Sequence, residues 1–241
     1  MSSTRTVAFL GASTGVGLSA LKTILAANHN CVALCRTPSK LTNKLEGSQA
    51  NLRIIEGNAH DVKAVLQLIT KPDGNLVNEI FFTIGGAFDF KRFTIDDPKV
   101  CRQGMAVLLN AIKEVRSHGG SGRPRIVVCS TTGISKFGRD VPYLFMPLYH
   151  VLLKVPHEDK VIMESSLWES GEDFTIVRAS LLTDGASQKP IRVGVEDPKA
   201  GRESSAVGYT ISREDAGRWM AEEVVLKDNQ NYKNKNVMIT Y

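Results

Sequence analysis

The sequence predicts an α/β fold: a doubly wound parallel sheet of about seven strands with helices on both faces, formed as a single domain over residues 1–241. Three observations predict it. Residues 7–17 read Val-Ala-Phe-Leu-Gly-Ala-Ser-Thr-Gly-Val-Gly, an apolar strand running into a glycine turn and then a helix. Strand-like and helix-like patterns alternate along the rest of the chain, as βαβ units do. The length of 241 residues, with 42% hydrophobic and 23% charged residues, suits one core of this class.

Val7 to Leu10 are apolar without interruption, as a strand buried on both faces requires. After the glycines, Leu18, Leu21, Ile24 and Leu25 recur at helical spacing through 17–27. Further strand-like runs fall at 31–35, 52–55, 79–84, 125–130, 174–178 and 237–240. Helical patterns lie between most of them, at 61–69, 98–118, 158–170 and 213–226. Right-handed crossovers then place a ligand crevice at the carboxyl ends of strands 1 and 4. Two stretches break the alternation. Residues 131–157 combine Gly and Pro with Phe137, Tyr143, Leu144, Phe145, Met146 and Tyr149. Residues 180–210 read as loop, punctuated by Gly185, Pro190, Gly194, Pro198, Gly201 and Gly208. Both follow strands and emerge on the crevice side, where long loops commonly build a substrate pocket.

Composition narrows the function classes. The net charge of +5 is mild, and no segment interleaves Lys or Arg with aromatics as a base-stacking surface would, so no nucleic-acid partner is expected. The longest apolar runs fall far short of a membrane span. The opening Met-Ser-Ser-Thr-Arg-Thr enters the first strand at once and leaves no room for a signal peptide, so a cytoplasmic protein is expected. Cys31, Cys35, Cys101 and Cys129 lack metal-ligand spacing and read as reduced packing residues, with neither a disulfide nor a metal. The expected partner is a small-molecule substrate, and the protein itself a monomer or homodimer.

The glycine turn carries the chemistry. The amides of a first helical turn have no intrahelical partners, and the helix dipole adds partial positive charge there, so the turn is an anion site. Gly11 turns the chain, Gly15 lets a pyrophosphate approach the backbone, and Gly17 lets the helix pack on the strand. Gly11, Ser13, Thr14, Gly15, Val16 and Gly17 are therefore the expected contacts of a dinucleotide. NAD usually needs an Asp or Glu at the end of strand 2 to accept from the adenosine ribose. Here that place reads Cys35-Arg36-Thr37-Pro38-Ser39-Lys40, with no acid. Arg36 and Lys40 suit a 2′-phosphate, which points to NADP(H). The bland alternative is that both are solvated charges opening the next helix.

These motifs together resemble an atypical short-chain dehydrogenase/reductase of the NmrA-like and flavin/biliverdin-reductase-like kind, an NAD(P)-binding Rossmann family. The resemblance rests on the glycine motif at 11–17, Cys35-Arg36, Gly57-Asn58-Ala59-His60-Asp61, Thr83-Ile84-Gly85-Gly86 and Ser130-Thr131-Thr132. It continues through Lys160-x-x-x-Glu164, the run from Ser170 to Ser180 and Ile211-Ser212-Arg213-Glu214-Asp215. It spans nearly the whole chain, and its texture resembles proteins of filamentous fungi, some of which act in specialised metabolism. The resemblance implies that Asn58 and Asp61 lie near the adenine and that Ile84 and Gly85 pass beside the riboses. It implies that Lys160 hydrogen-bonds the nicotinamide ribose and that Leu181 and Leu182 reach the carboxamide end.

One departure bears on mechanism. The family acid is a Tyr four residues before the lysine, and Pro156 stands there. Proline has no proton to donate. The remaining proton-donor candidates are His157, His150, Tyr149, and Ser130 or Thr131 at the end of strand 5, with His nearest to neutrality in its titration. The expected function is an NADP(H)-dependent oxidoreductase acting on a small apolar or aromatic carbonyl or conjugated substrate. Lys160 would orient the ribose, and Ser130 or Thr131 would meet the substrate oxygen. Two alternatives fit the missing Tyr: a cyclase or isomerase that keeps NADP as a structural part of its pocket, and an NADP-sensing regulatory protein.

Overall fold

The computed structural model describes residues 4–47, 49–86, 88–89, 94–146 and 153–241. In chain order the elements are β1 (Thr6–Leu10), α1 (Gly15–Ala26), β2 (Asn30–Cys35), α2 (Ser39–Thr42), β3 (Leu52–Glu56), α3 (Val62–Ile69) and β4 (Glu79–Phe82). A short hairpin of β5 (Phe88–Asp89) and β6 (Thr94–Ile95) precedes α4 (Val100–Ser117), β7 (Arg125–Thr131), α5 (Lys154–Ser170) and β8 (Asp173–Ala179). There follow β9 (Leu181–Thr183), β10 (Arg192–Asp197), β11 (Gly201–Arg202), β12 (Thr210–Ser212), α6 (Arg213–Trp219), a π-helical continuation (Met220–Leu226) and β13 (Lys235–Thr240).

The main sheet runs β11-β10-β13-β8-β7-β4-β1-β2-β3. The seven strands from β13 to β3 are parallel and coincide with the seven strand-like runs of the sequence. Antiparallel β10 and β11 extend the β13 edge and correct the loop expectation for 180–210. The glycines there hid the strands because they are close-packing positions. A Cβ on Gly194, inside β10, would fall 2.6 Å from the Ala206 nitrogen, and one on Gly208 would fall 2.2 Å from Thr240 Oγ1. Within the same stretch β9 and β12 form a separate parallel pair.

Each face of the sheet carries its own core. On one face α1 and the helix from 213 to 226 cover Phe9, Phe81, Val127, Val177 and Val237, with Phe9 and Phe81 stacked at 4.9 Å. Gly217 lets these helices touch, since a Cβ there would meet the Val16 carbonyl oxygen at 2.2 Å. On the other face α3, α4 and α5 cover Leu10, Ile80, Phe82, Ile126 and Ile176. Helix α5 starts four residues before the periodic pattern suggests, so Pro156 lies in its first turn, where a missing N–H costs nothing. Asp159 on α5 supplies the cap that α4 lacks locally, accepting from the Cys101 and Arg102 amides at 2.8 and 3.1 Å.

Candidate functional site

The crevice opens where β1 and β4 end. Gly11, at φ +100°, turns the chain out of β1, and Thr83, just past β4, ties the turn down by donating to the Leu10 and Gly11 carbonyls at 3.1 and 3.2 Å. Gly17 is a packing position, because a Cβ there would lie 2.3 Å from the Gly11 oxygen. No side chain caps α1 at Thr14, and its first turn carries no acid, so its amides face the crevice unscreened. That arrangement fits a dinucleotide pyrophosphate.

Two connected cavities flank the turn. The first, about 250 Å³, is walled by Gly11, Ser13, Thr14, Cys35, Arg36 and Asn58, with Ile84 and Gly85 at the junction. His60, Asp96 and Asp97 also line it. The second, about 360 Å³, is walled by Thr14, Gly15, Val16, Ile84, Gly85, Ser130, Thr131, Lys160, Leu181, Leu182 and Arg213. Most of the expected site residues thus converge on one continuous cleft. Gly17, Lys40, Asp61 and His157 line neither cavity. Lys40 is exposed on α2. Asp61 is spent as the cap of α3, accepting from the Lys63 amide at 2.9 Å, because a helix start needs an acceptor there. His157 lines a separate cavity with Arg102, Ser135 and Lys154 on the other side of α5. Tyr149 and His150 lie outside the described residues.

Lys160 Nζ donates to the Cys129 carbonyl at 3.0 Å beside the second cavity. Burial works against its charge, yet the surrounding groups outweigh it and hold the ammonium above the usual lysine range. Burial pushes the Cys129 thiol up and the Cys101 thiol to about 11, so both are neutral at physiological pH. Glu164 and Asp159 add a smaller pull in the same direction on the Lys160 ammonium.

Ser130 is committed elsewhere. Its hydroxyl donates to Glu164 Oε1 at 2.5 Å. Glu164 is held in turn by Arg178, which also binds Glu196, and Ser135 and Asn236 close the shell around Glu196. All of Glu164, Arg178 and Glu196 are 1% exposed. This corrects the expectation that Ser130 offers its proton to a substrate. Thr131, half-buried at the end of β7, donates only to its neighbour's carbonyl at 3.1 Å and faces the cleft.

Two basic residues escaped sequence reasoning. Lys44 Nζ reaches the Ser13 carbonyl at 3.2 Å, beside the first cavity. Arg213 lies over the glycine turn and pairs with Asp184 at 2.7 Å. The position of Arg213 at the head of a helix behind a Ser cap was visible, but its contact with Gly15 is a long-range one that no local pattern reports.

With that geometry in place, comparison with known proteins decides the family. A family model described as NAD(P)H-binding matches residues 11–226. The chain belongs to this NAD(P)H-binding family. The reductase pytE of Aspergillus terreus is 41% identical over 267 residues, covering 100% of this chain and 99% of that one. The oxidase pynE of Aspergillus niger is 33% identical over 280 residues, covering 98% of both. A wide-type short-chain dehydrogenase/reductase from Veillonella parvula, solved in complex with NADP, shares the fold with a TM-score of 0.74 at 13% identity, over 98% of this chain and 94% of that one. The anaerobillin reductase ChuY of Escherichia coli O157:H7 does so at 0.65 and 17% identity, over 97% and 96%. The chain is an NAD(P)-dependent oxidoreductase. Among the described residues no helix is long and apolar enough to cross a membrane.

Proposed function

We propose that this oxidoreductase uses NADP(H) and reduces a small apolar or aromatic carbonyl or conjugated substrate. The observation that carries the cofactor choice is Arg36. It follows β2 directly and walls the first cavity where an NAD-selective protein would carry an acid. Lys44 adds a second cation at the Ser13 carbonyl. Asp96 and Asp97 line the same cavity beside Val100 and His60, at the head of α4, and are acceptors suited to the base or ribose.

The nicotinamide supplies hydride chemistry when bound. The chain's own residues then position and solvate. Lys160, held as an ammonium at the mouth of the second cavity, hydrogen-bonds the ribose hydroxyls. Ser130 is fixed by Glu164 and keeps β7 in place. Thr131 exchanges its local bond for the substrate oxygen. Leu181 and Leu182 form an apolar rim on the second cavity. That rim favours an apolar or aromatic substrate. We take residues 1–241 as one nucleotide-binding domain whose segments 131–157 and 180–210 frame the substrate side. Four buried free cysteines suit the reducing cytoplasm.

Fluorescence titration with NADPH and NADH tests the cofactor, and loss of nicotinamide absorbance with a panel of aldehydes, ketones and quinones tests the reaction. Equal affinity for the two nucleotides refutes the first statement. Product formation without nucleotide turnover refutes the second.

A further inference from the structure

Arg213, on the wall of the second cavity, pairs with Asp184, and strand register brings the two together. In the β9–β12 pair Leu181 faces Thr210, Leu182 faces Ile211 and Thr183 faces Ser212, so the next residue of each strand emerges beside the other. Arg213 Nη1 lies 2.7 Å from Asp184 Oδ1. The pair is weak by position: Asp184 is 83% exposed and Arg213 36% exposed. Exposed ion pairs contribute about 0–1 kcal/mol, so this one exchanges readily for a stronger anion.

The stem of Arg213 lies on the glycine turn. A Cβ built on Gly15 would come 3.0 Å from Arg213 Cδ, and Arg213 shares the cavity wall with Thr14, Gly15 and Val16. Its base is rigid relative to that turn. Ser212 caps α6 by accepting from the Asp215 amide at 3.0 Å, and Gly217 seats α6 directly on α1. The Asp184 side is tethered too, because the Ser187 amide donates to Asp215 Oδ2 at 2.8 Å. A pyrophosphate at the turn presents two negative charges to this guanidinium, against one exposed carboxylate. Charge-assisted bonds of Arg to phosphate oxygens are among the stronger hydrogen bonds available.

We propose that Arg213 is a cofactor ligand held in reserve by Asp184: it exchanges the carboxylate for the pyrophosphate when the dinucleotide binds, and Asp184, as the competing anion, sets the affinity. This rests on the cofactor reading given above.

The test measures dissociation constants for NADPH and for 2′-AMP, which carries the adenosine 2′-phosphate but no pyrophosphate. Arg213→Ala should weaken NADPH binding about 10-fold or more and leave 2′-AMP within about 2-fold. Asp184→Asn should tighten NADPH binding about 3-fold, and the double variant should bind like Arg213→Ala alone, because Asp184 acts only through Arg213. The inference is overturned if Arg213→Ala leaves NADPH binding within about 2-fold, if it weakens 2′-AMP equally, or if Asp184→Asn weakens NADPH. Wild-type protein that binds neither NADPH nor NADH overturns the cofactor reading itself, so the two failures differ already in the unmutated protein.

Discussion

Arg178 grips both oxygens of Glu164, Nη2 on Oε2 at 2.7 Å and Nε on Oε1 at 3.2 Å, with 1% of either side chain exposed. Its Nη1 holds Glu196 Oε1 at 2.7 Å. One guanidinium therefore bridges two buried carboxylates that fix β7, α5 and the antiparallel edge to one another. Removing the cation leaves both acids uncompensated, and breaking a buried pair in this way costs about 3–5 kcal/mol. Arg178→Met should lower the unfolding free energy by at least about 3 kcal/mol in a urea titration. Glu164→Gln, which leaves the Arg178–Glu196 pair intact, should cost less. A loss under about 1 kcal/mol for Arg178→Met would contradict the network.

The same residues show what the sequence could and could not tell. Val7 to Gly17 were legible because strand, turn and helix start are encoded by neighbours. Strands β1, β2 and β4 were legible because strands buried on both faces are apolar almost without a break, and the edge strand β3 because its short apolar run survives beside Arg53. Strand β10 was not, since Glu196 looks like a surface acid and becomes a buried one only against Arg178, a partner on another strand. Asp61 matched a nucleotide-site motif and was claimed instead by the free amides of α3. Lys44 and Arg213 reach the glycine turn through tertiary contacts that no spacing rule reports.

Glu79 gives a pH dependence with a definite sign. Burial pushes its carboxyl up to about 7, against the pull of the Arg5 guanidinium 3.0 Å away. Its other oxygen is buried without a donor among the described residues. Between the ordinary value of 4.5 and about 7 the folded protein keeps a proton that the unfolded chain has lost. Its contribution is thus fully present below pH 4.5 and lost as pH rises through 7. At about 1.4 kcal/mol per pH unit the loss is about 3 kcal/mol. Glu79→Gln should flatten this slope and be more stable than wild type at pH 8, as chemical denaturation at several pH values would show. Parallel pH profiles for the two proteins would rule the account out.

Cofactor choice depends on Arg36 more than on Lys40. Arg36→Ala should cut the preference for NADPH over NADH by about 10-fold, about 1.4 kcal/mol, with NADH affinity nearly unchanged. Lys44→Ala should have a smaller effect of the same kind. Lys40→Ala, on the exposed face of α2, should have none. Titration of the three variants with both nucleotides checks the ranking. An equal fall in NADH affinity for Arg36→Ala would mean that the residue supports the turn and does not read the phosphate.

Lys160 tests the placement of the second cavity. Lys160→Ala removes the ammonium on the wall of the second cavity, so turnover should fall by about 100-fold or more while the fold persists. Lys160→Arg keeps the charge but replaces the compact ammonium with a larger planar fork and should recover little. Steady-state kinetics with NADPH and the best substrate of the panel decide it. Unchanged turnover in Lys160→Ala would place the hydride site elsewhere.

Pro156 offers the sharpest test of the mechanism. It occupies the third residue of α5, four before Lys160, the place at which the resemblance to short-chain dehydrogenases would set a Tyr. Among the described residues, the cavity that holds Lys160 is lined by no Tyr, His, Asp or Glu. The proton-bearing side chains on that wall include Lys160 and the hydroxyls of Ser130, Thr131 and their neighbours. Replacing proline in a first turn should cost little stability, because the restored N–H belongs to a group of amides that have no helical partner anyway. A tyrosine at 156 would share the helix face of Lys160, whose ammonium would favour the phenolate and lower its pKa. Pro156→Tyr should therefore gain slow NADPH-dependent reduction of simple ketones, an activity that falls as pH rises through the lowered phenol pKa because the donor must carry its proton. Pro156→Phe should gain nothing, since it supplies the ring without the proton. Kinetics of the two variants against one small ketone separate the outcomes. If both behave like wild type, a proton donor at 156 is not what limits this enzyme, and the register of α5 against the cofactor must be redrawn.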